Sequence, residues 1–291
     1  MATAYWIKIR KRKEKRQMIR CRASAIVATV LVCGAFALPG AVTAETVLIT
    51  GANSGLGLEF AKQYAAKGWT VIATHRRHDM PETLAPLAAK YPNLRVEHMD
   101  VSNIEDVKAS AAKLKGVPID VLINNAGVYS DRSACKSETC TGAGDTQTFG
   151  NLDYALFDTI MATNVRGPLI VSESLIDNVR ASKKKMIIAI SSTNGSLSKP
   201  LPGPQGIAYR SSKSALNRAM QLVAVKEKAE GITVLMLHPG TVVTERLESN
   251  RGQPNTVDME PSVMGMIKII DKATIKDTGR FLQFDGTTAP W

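Results

Sequence analysis

The sequence is poor in the pairings that hold metals. Its four histidines (75, 78, 98 and 238) are scattered, and it has no C-x-x-C and no H-E-x-x-H. That excludes the usual zinc spacings. It lacks low-complexity tracts and short internal repeats, which excludes solenoids and disordered linkers as the main architecture. Charge of one sign is also missing from most of the chain. The net charge is +11, but residues 1–44 hold nine of the 37 Lys/Arg and one of the 26 Asp/Glu. The remaining 28 basic and 25 acidic residues nearly balance. A nucleic-acid-binding body is therefore not expected. With 291 residues, 44% of them apolar, the chain can fill a large core.

The N-terminal 44 residues have three zones. Residues 7–22 are strongly basic, Ala25 to Leu38 is apolar and uncharged, and Pro39-Gly40 precedes the small residues Val42-Thr43-Ala44. This is the order of a secretory signal, with cleavage expected after Ala44. The apolar run of 14 is short of the ~20 residues that span a bilayer. Residues 23–44 nevertheless carry no charge, so an uncleaved anchor stays open. Met18 could also serve as the start. The expected division is 1–44 as signal peptide or anchor and 45–291 as one domain. The product would be exported, periplasmic or secreted, if cleaved, and otherwise membrane-anchored or cytoplasmic. Membrane contact is expected only through this segment. Two cysteines remain beyond it, Cys135 and Cys140. In an exported protein the pair suggests a disulfide, and in a cytosolic one two free thiols.

Beyond residue 44 short apolar runs alternate with longer amphipathic ones. Strands are expected at Thr46–Thr50, Thr70–Thr74, Leu94–Met99, Ile119–Ile123, Met186–Ser191, Thr233–Leu237 and Arg280–Phe284. Helices are expected at Leu56–Lys67, Pro81–Lys90, Ile104–Leu114, Tyr154–Arg180, Ala208–Glu230 and Pro261–Lys272. Continuous β-branched strands alternating with helices argue for a parallel sheet covered on both faces. Such sheets bind ligands at the carboxyl ends of their strands, so the residues just after each strand carry the chemistry.

The first strand runs into Thr50-Gly51-Ala52-Asn53-Ser54-Gly55-Leu56-Gly57 and then a helix. Glycines admit a pyrophosphate to the backbone, and a helix N-terminus supplies N–H donors to it. A Gly-rich packing turn is the plain alternative. The second strand ends at His75-Arg76-Arg77, where NAD enzymes of this type place an acid for the ribose 2′-hydroxyl. A cation there attracts a 2′-phosphate, which favours NADP(H) over NAD(H). Solvated loop charges are the alternative. Tyr209 and Lys213, spaced i and i+4, share one helix face. An ammonium near a phenol favours the phenolate, which makes tyrosine usable in proton transfer.

Taken together these motifs resemble the short-chain dehydrogenase/reductases, over residues 45–291. The resemblance rests on TGANSGLG, Asp100-Val101, NNAG (Asn124 to Gly127), Asn164 in NVRGP, Ser192 in ISSTNGS, YRSSKSALN, and HPGTVVT. YRSSKSALN and GRFLQFDGTTAPW most resemble the C-factor and Sniffer-like carbonyl reductase subgroup. The resemblance implies a single-domain, Rossmann-type doubly wound α/β fold with seven parallel strands ordered 3-2-1-4-5-6-7. It implies Tyr209 as general acid, Lys213 on the nicotinamide ribose, Ser192 on the substrate oxygen, and Asn164 holding a relay water. Gly51, Asn53, Ser54, Gly55, Leu56, Gly57, His75, Arg76, Asp100, Val101, Asn124, Ala126, Gly127, Tyr209, Lys213, Pro239, Gly240 and Thr244 would contact the cofactor. The partner would be a small carbonyl or alcohol, and a homodimer is an expectation because members often pair through the helices carrying Asn164 and Tyr209. Two stretches depart from the pattern: the 17 positions from Ser192 to Tyr209, and Tyr129 to Gly150. The export signal departs most, and keeps open an exported NADP-binding signalling or structural protein with little turnover.

Overall fold

The computed structural model describes residues 44–130, 145–201, 203–243, 251–252 and 256–291. Residues 1–43 of the expected signal, Cys135, Cys140 and Thr244 lie outside these residues. In chain order the elements are β1 (Thr46–Ile49), α1 (Gly55–Ala66), β2 (Thr70–His75), α2 (Ala85–Lys90), β3 (Leu94–His98), α3 (Ile104–Lys113), β4 (Val121–Asn124), α4 (Tyr154–Met161), α5 (Gly167–Ser174), α6 (Ile176–Arg180), β5 (Met186–Ile190), α7 (Ile207–Glu227), β6 (Thr233–His238), β7 (Thr241–Val243), β8 (Thr256–Asp258), α8 (Met259–Lys272) and β9 (Phe281–Gln283). Seven strands form one parallel sheet ordered β3-β2-β1-β4-β5-β6-β9, the expected order. The short pair β7-β8 is an addition that its three-residue strands did not signal.

Side chains alternate across a strand, and here both faces are buried. Val47 and Ile49 of β1, with Val121, Ile123, Ile188 and Leu235, join a core covered by Phe60 and Tyr64 of α1 and Met266 and Ile270 of α8. Leu48, between them, joins Leu122, Ile187, Val234 and Met236 in a second core. Val107 of α3, Val171 of α5, and Leu216 and Met220 of α7 cover that one. Strand order reverses between β1 and its neighbours β2 and β4, which opens a crevice at the carboxyl edge.

Two helices differ from the expected spans, and proline bears on each, although the second break of Tyr154–Arg180, at Leu175 between α5 and α6, has no proline beside it. Pro81–Lys90 becomes helical only from Ala85, because Pro86 has no N–H to bond the Glu82 carbonyl. The expected Tyr154–Arg180 helix divides at a π-turn over Ala162–Arg166, where the Gly167 N–H bonds the Ala162 carbonyl. Pro168, four residues past Asn164, cannot make the α-helical bond to the Asn164 carbonyl. Among the described residues no helix is long and apolar enough to cross a membrane.

The amino edge of the sheet is stitched by one carboxylate. Buried Asp120 accepts from Thr46 N at 2.9 Å, and from Lys183 N and Lys184 N at 3.2 Å each. Asp120→Ala leaves three backbone donors without this acceptor. It should cost about 2–3 kcal/mol, read as a lower urea midpoint with an unchanged slope.

Candidate active site and cofactor cleft

Ser54 precedes α1 in an extended conformation and does not cap it through its side chain, so the first N–H groups of the helix face the loop. Gly51 and Gly55 take positive φ, +65° and +54°. A Cβ on Gly55 would meet nothing within 4 Å, whereas one on Gly57 would stand 2.5 Å from Asn125 Nδ2 and also strike the Gly51 carbonyl. The loop is therefore open on its outer side and tightly packed behind, the form a pyrophosphate needs. Asn125, which the sequence motif did not single out, braces it: Nδ2 donates to the Thr50 and Gly51 carbonyls at 2.9 and 3.2 Å. Thr50 Oγ1 in turn accepts from Asn125 N and Ala126 N, both at 3.0 Å. Asn124, expected in the cleft, turns its side chain to Ser172 Oγ in α5 at 3.0 Å, since adjacent residues at a strand end point to opposite faces. Asn53 contributes its carbonyl, which accepts from Thr83 Oγ1 at 2.7 Å.

At the end of β2 the expected pair divides its work. The His75 ring is buried, and its Nδ1 accepts from Arg77 N at 3.2 Å, so it shapes the turn. Burial, followed by His98 and Arg77, lowers its pKa from the ordinary histidine value. Arg76 is exposed and presents the charge. The scattered histidines also converge: the His78 and His98 rings stack at 5.2 Å, and His75 meets His98 edge-on at 6.3 Å. Parallel pairing of β2 with β3, which no local pattern displays, brings them together. Asp100 Oδ1 accepts from Ser102 N and Oγ at 2.9 and 2.7 Å. Val101 underlies Gly167, where a Cβ would lie 3.1 Å from its side chain.

The catalytic candidates meet where β5, the π-turn and α7 converge. Ser192, at the end of β5, caps the next turn by accepting from Asn194 N at 3.1 Å. Its hydroxyl is near enough to Tyr209 to lower the phenol's pKa. One turn along α7, buried Lys213 donates from Nζ to the Ile190 carbonyl at 2.9 Å and lies 5.7 Å from the centre of the Tyr209 ring. Asn164 is fully buried: Nδ2 donates to the Val128 carbonyl at 2.8 Å and Ser212 Oγ at 3.0 Å, while Oδ1 accepts from Val128 N at 2.8 Å. Its side chain is thus committed to holding three segments together. Gly127 passes close by, where a Cβ would lie 3.4 Å from Asn164 Oδ1 and 4.0 Å from Lys213 Nζ.

Gln147 belongs to the site and carries no motif. Its Oε1 accepts from Tyr209 N at 3.0 Å and its Nε2 donates to the Tyr129 carbonyl at 2.8 Å. It caps α7 from 62 residues away, a distance no local capping rule covers. Tyr129 packs edge-on against Tyr209 at 4.5 Å. His238 Nε2 lies 3.3 Å from Thr193 Oγ1, and burial followed by nearby Lys199 lowers its pKa to about 4. Pro239 offers its carbonyl to Ser262 Oγ at 2.6 Å. Gly240, at φ +86°, sits where a Cβ would be 2.9 Å from Val257.

Burial controls the charges. It raises Tyr209 to about 12; the Ser192 hydroxyl pulls it down, Tyr129 pushes up, and Arg210 pulls down. Desolvation also lowers Lys213 from 10.5 to about 8. The phenol is thus a neutral acid through the physiological range, and the lysine is still a cation at neutral pH.

The family model for short chain dehydrogenases matches residues 45–255. NADPH-bound carbonyl reductase from chicken fatty liver is 30% identical, with a TM-score of 0.74 over 85% of this chain and 99% of its own. Carbonyl reductase Sniffer of D. melanogaster is 25% identical, with a TM-score of 0.69 over 85% and 100%. C-signal from Myxococcus xanthus is 32% identical over 64% of this chain and all of its own length.

A folded-state lysine pKa below its unfolded value costs stability below both values, and the cost fades as pH rises through 8 toward 10.5. That cost is about 3 kcal/mol, part of which the Ile190 bond returns. Lys213→Met should therefore be more stable than the parent by about 1–2 kcal/mol near neutral pH. In urea titrations the advantage should shrink as pH rises through that window.

Proposed function

Since this chain belongs to the short-chain dehydrogenase/reductase family and is an oxidoreductase, we propose that it interconverts a ketone or aldehyde and its alcohol with NADP(H). The observation that carries this reading is the buried Lys213 ammonium, 5.7 Å from the centre of the Tyr209 ring one helical turn away, with the Ser192 hydroxyl near enough to lower the Tyr209 pKa. When bound, the nicotinamide supplies or accepts the hydride. The open outer face at Gly55, at the N-terminus of α1, fits its pyrophosphate. In the reducing direction Tyr209 donates its hydroxyl proton to the substrate oxygen, which Ser192 also holds. A phenol at about 12 is fully protonated when the reaction begins. The same burial opposes the phenolate left behind, and Lys213 offsets that cost as long as it stays charged. Its ammonium also holds the nicotinamide ribose. Asn164 holds a water through which the proton is replaced. Exposed Arg76, with no acid at the end of β2, supports NADP(H) over NAD(H). The chicken enzyme's bound NADPH supports the same choice.

A second reading, an NADP-binding signalling protein with little turnover, draws on the C-signal relative. Exposed Leu222 and Val225 on the outer face of α7 support a homodimer.

Assays of the parent, Tyr209→Phe and Arg76→Glu with a panel of ketones and aldehydes test the reading. Tyr209→Phe should lose about 10²–10⁴-fold in kcat with an unchanged NADPH Kd. Arg76→Glu should weaken NADPH about tenfold or more while sparing NADH. A parent that binds NADPH without turning over any carbonyl, or a cofactor that does not exchange, would favour signalling.

We also propose that residues 1–44 direct export, with cleavage after Ala44. In a Gram-negative host the periplasmic species should begin at Glu45. It should weigh two protons less than its reduced form if Cys135 and Cys140 are joined. A full-length cytosolic species with free thiols would overturn this.

A further inference from the structure

The chain leaving Ser192 forms a short 3-10 turn whose Gly195 presses on α7, where a Cβ would stand 2.5 Å from the Lys213 carbonyl carbon. Beyond it, residues 196–201 have neither helix nor strand, yet a distant segment holds them. The Trp291 main-chain oxygen accepts from Ser196 Oγ at 2.8 Å, Ser198 Oγ at 2.6 Å and Ser198 N at 2.8 Å. Trp291 reaches that point because residues 285–291 turn back along β9. Asp285 Oδ1 accepts from Thr287 N at 2.9 Å, Gln283 N donates to the Thr287 carbonyl at 2.8 Å, and Ala289 N donates to the Phe281 carbonyl at 2.9 Å. The Trp291 ring then packs on Phe281 at 5.4 Å, and Phe281 is a buried core residue.

A loop pinned this way displays Leu197 and Leu201, 88% and 69% exposed, within nine residues of Ser192. Leucines this exposed on a restrained loop bury little of their apolar surface in the fold. They suit an apolar group delivered to Ser192 and Tyr209 from solution.

We propose that residues 285–291 form a strut that positions the substrate loop. Ser196, Ser198 and Trp291 are positioning residues, and through Leu197 and Leu201 they set the preference for carbonyl compounds bearing a bulky apolar group. The proposal rests on the carbonyl reductase reading.

The test compares the parent, Ser196→Ala/Ser198→Ala and Ser196→Thr/Ser198→Thr by amide hydrogen exchange over 196–201, NADPH Kd, and kinetics on an aryl ketone and a small aliphatic aldehyde. The alanine pair should exchange faster in the loop and raise KM for the aryl ketone about fivefold. Its kcat, its KM for the small aldehyde and its NADPH Kd should stay within about twofold of the parent. The threonine pair, which keeps both hydroxyls, should behave as the parent. Unchanged exchange in the alanine pair overturns the strut. Faster exchange with an unaltered ratio of the two KM values overturns its role in specificity. A parent that reduces no carbonyl overturns the reductase reading, and exchange then still decides the strut by itself.

Discussion

The constraint on which the rest of the site depends is a buried ammonium. Lys213 is held out of water, and an ammonium in that setting needs an acceptor. The Ile190 carbonyl, at the carboxyl end of β5, supplies it at 2.9 Å. Gly195 and Gly127 pass close by, where a side chain would press on Lys213 or its neighbours. Tyr209 stands four residues earlier on the same helix face.

The proton chemistry needs opposed demands to meet in one place. Burial makes Tyr209 a weak acid; in the proposed reaction that suits a proton donor but penalises the phenolate it would leave. The same burial makes Lys213 easier to discharge. Asn164 shows how the chain supports both groups: its amide is spent on Val128 and Ser212, and one residue thereby ties β4's extension to α7.

Continuous apolar strands dictated a doubly covered parallel sheet, and the structure has it in the expected order. The glycine loop, Ser192, Tyr209 and Lys213 were legible because each is a local pattern: a turn that needs glycine, a residue after a strand, an i, i+4 pair. The π-turn at Asn164 was less so. Pro168 stands in plain view, but proline near a helix start is ordinary, and only the length of the surrounding helix turns it into a break.

What the sequence by itself determined was therefore the layers of the fold and the local patterns that carry the candidate groups, since periodicity, turn chemistry and residue type act over a few positions. Tertiary structure alone decided which side chains serve which neighbour. Gln147 caps α7 from 62 residues away, Asn125 rather than Asn124 braces the glycine loop, three histidines meet beside Arg76, and Trp291 holds the loop after Ser192. Each of these contacts joins segments distant in the chain. The geometry that makes them exists only once both faces of the sheet have been covered and the loops at its carboxyl edge have a surface to pack on.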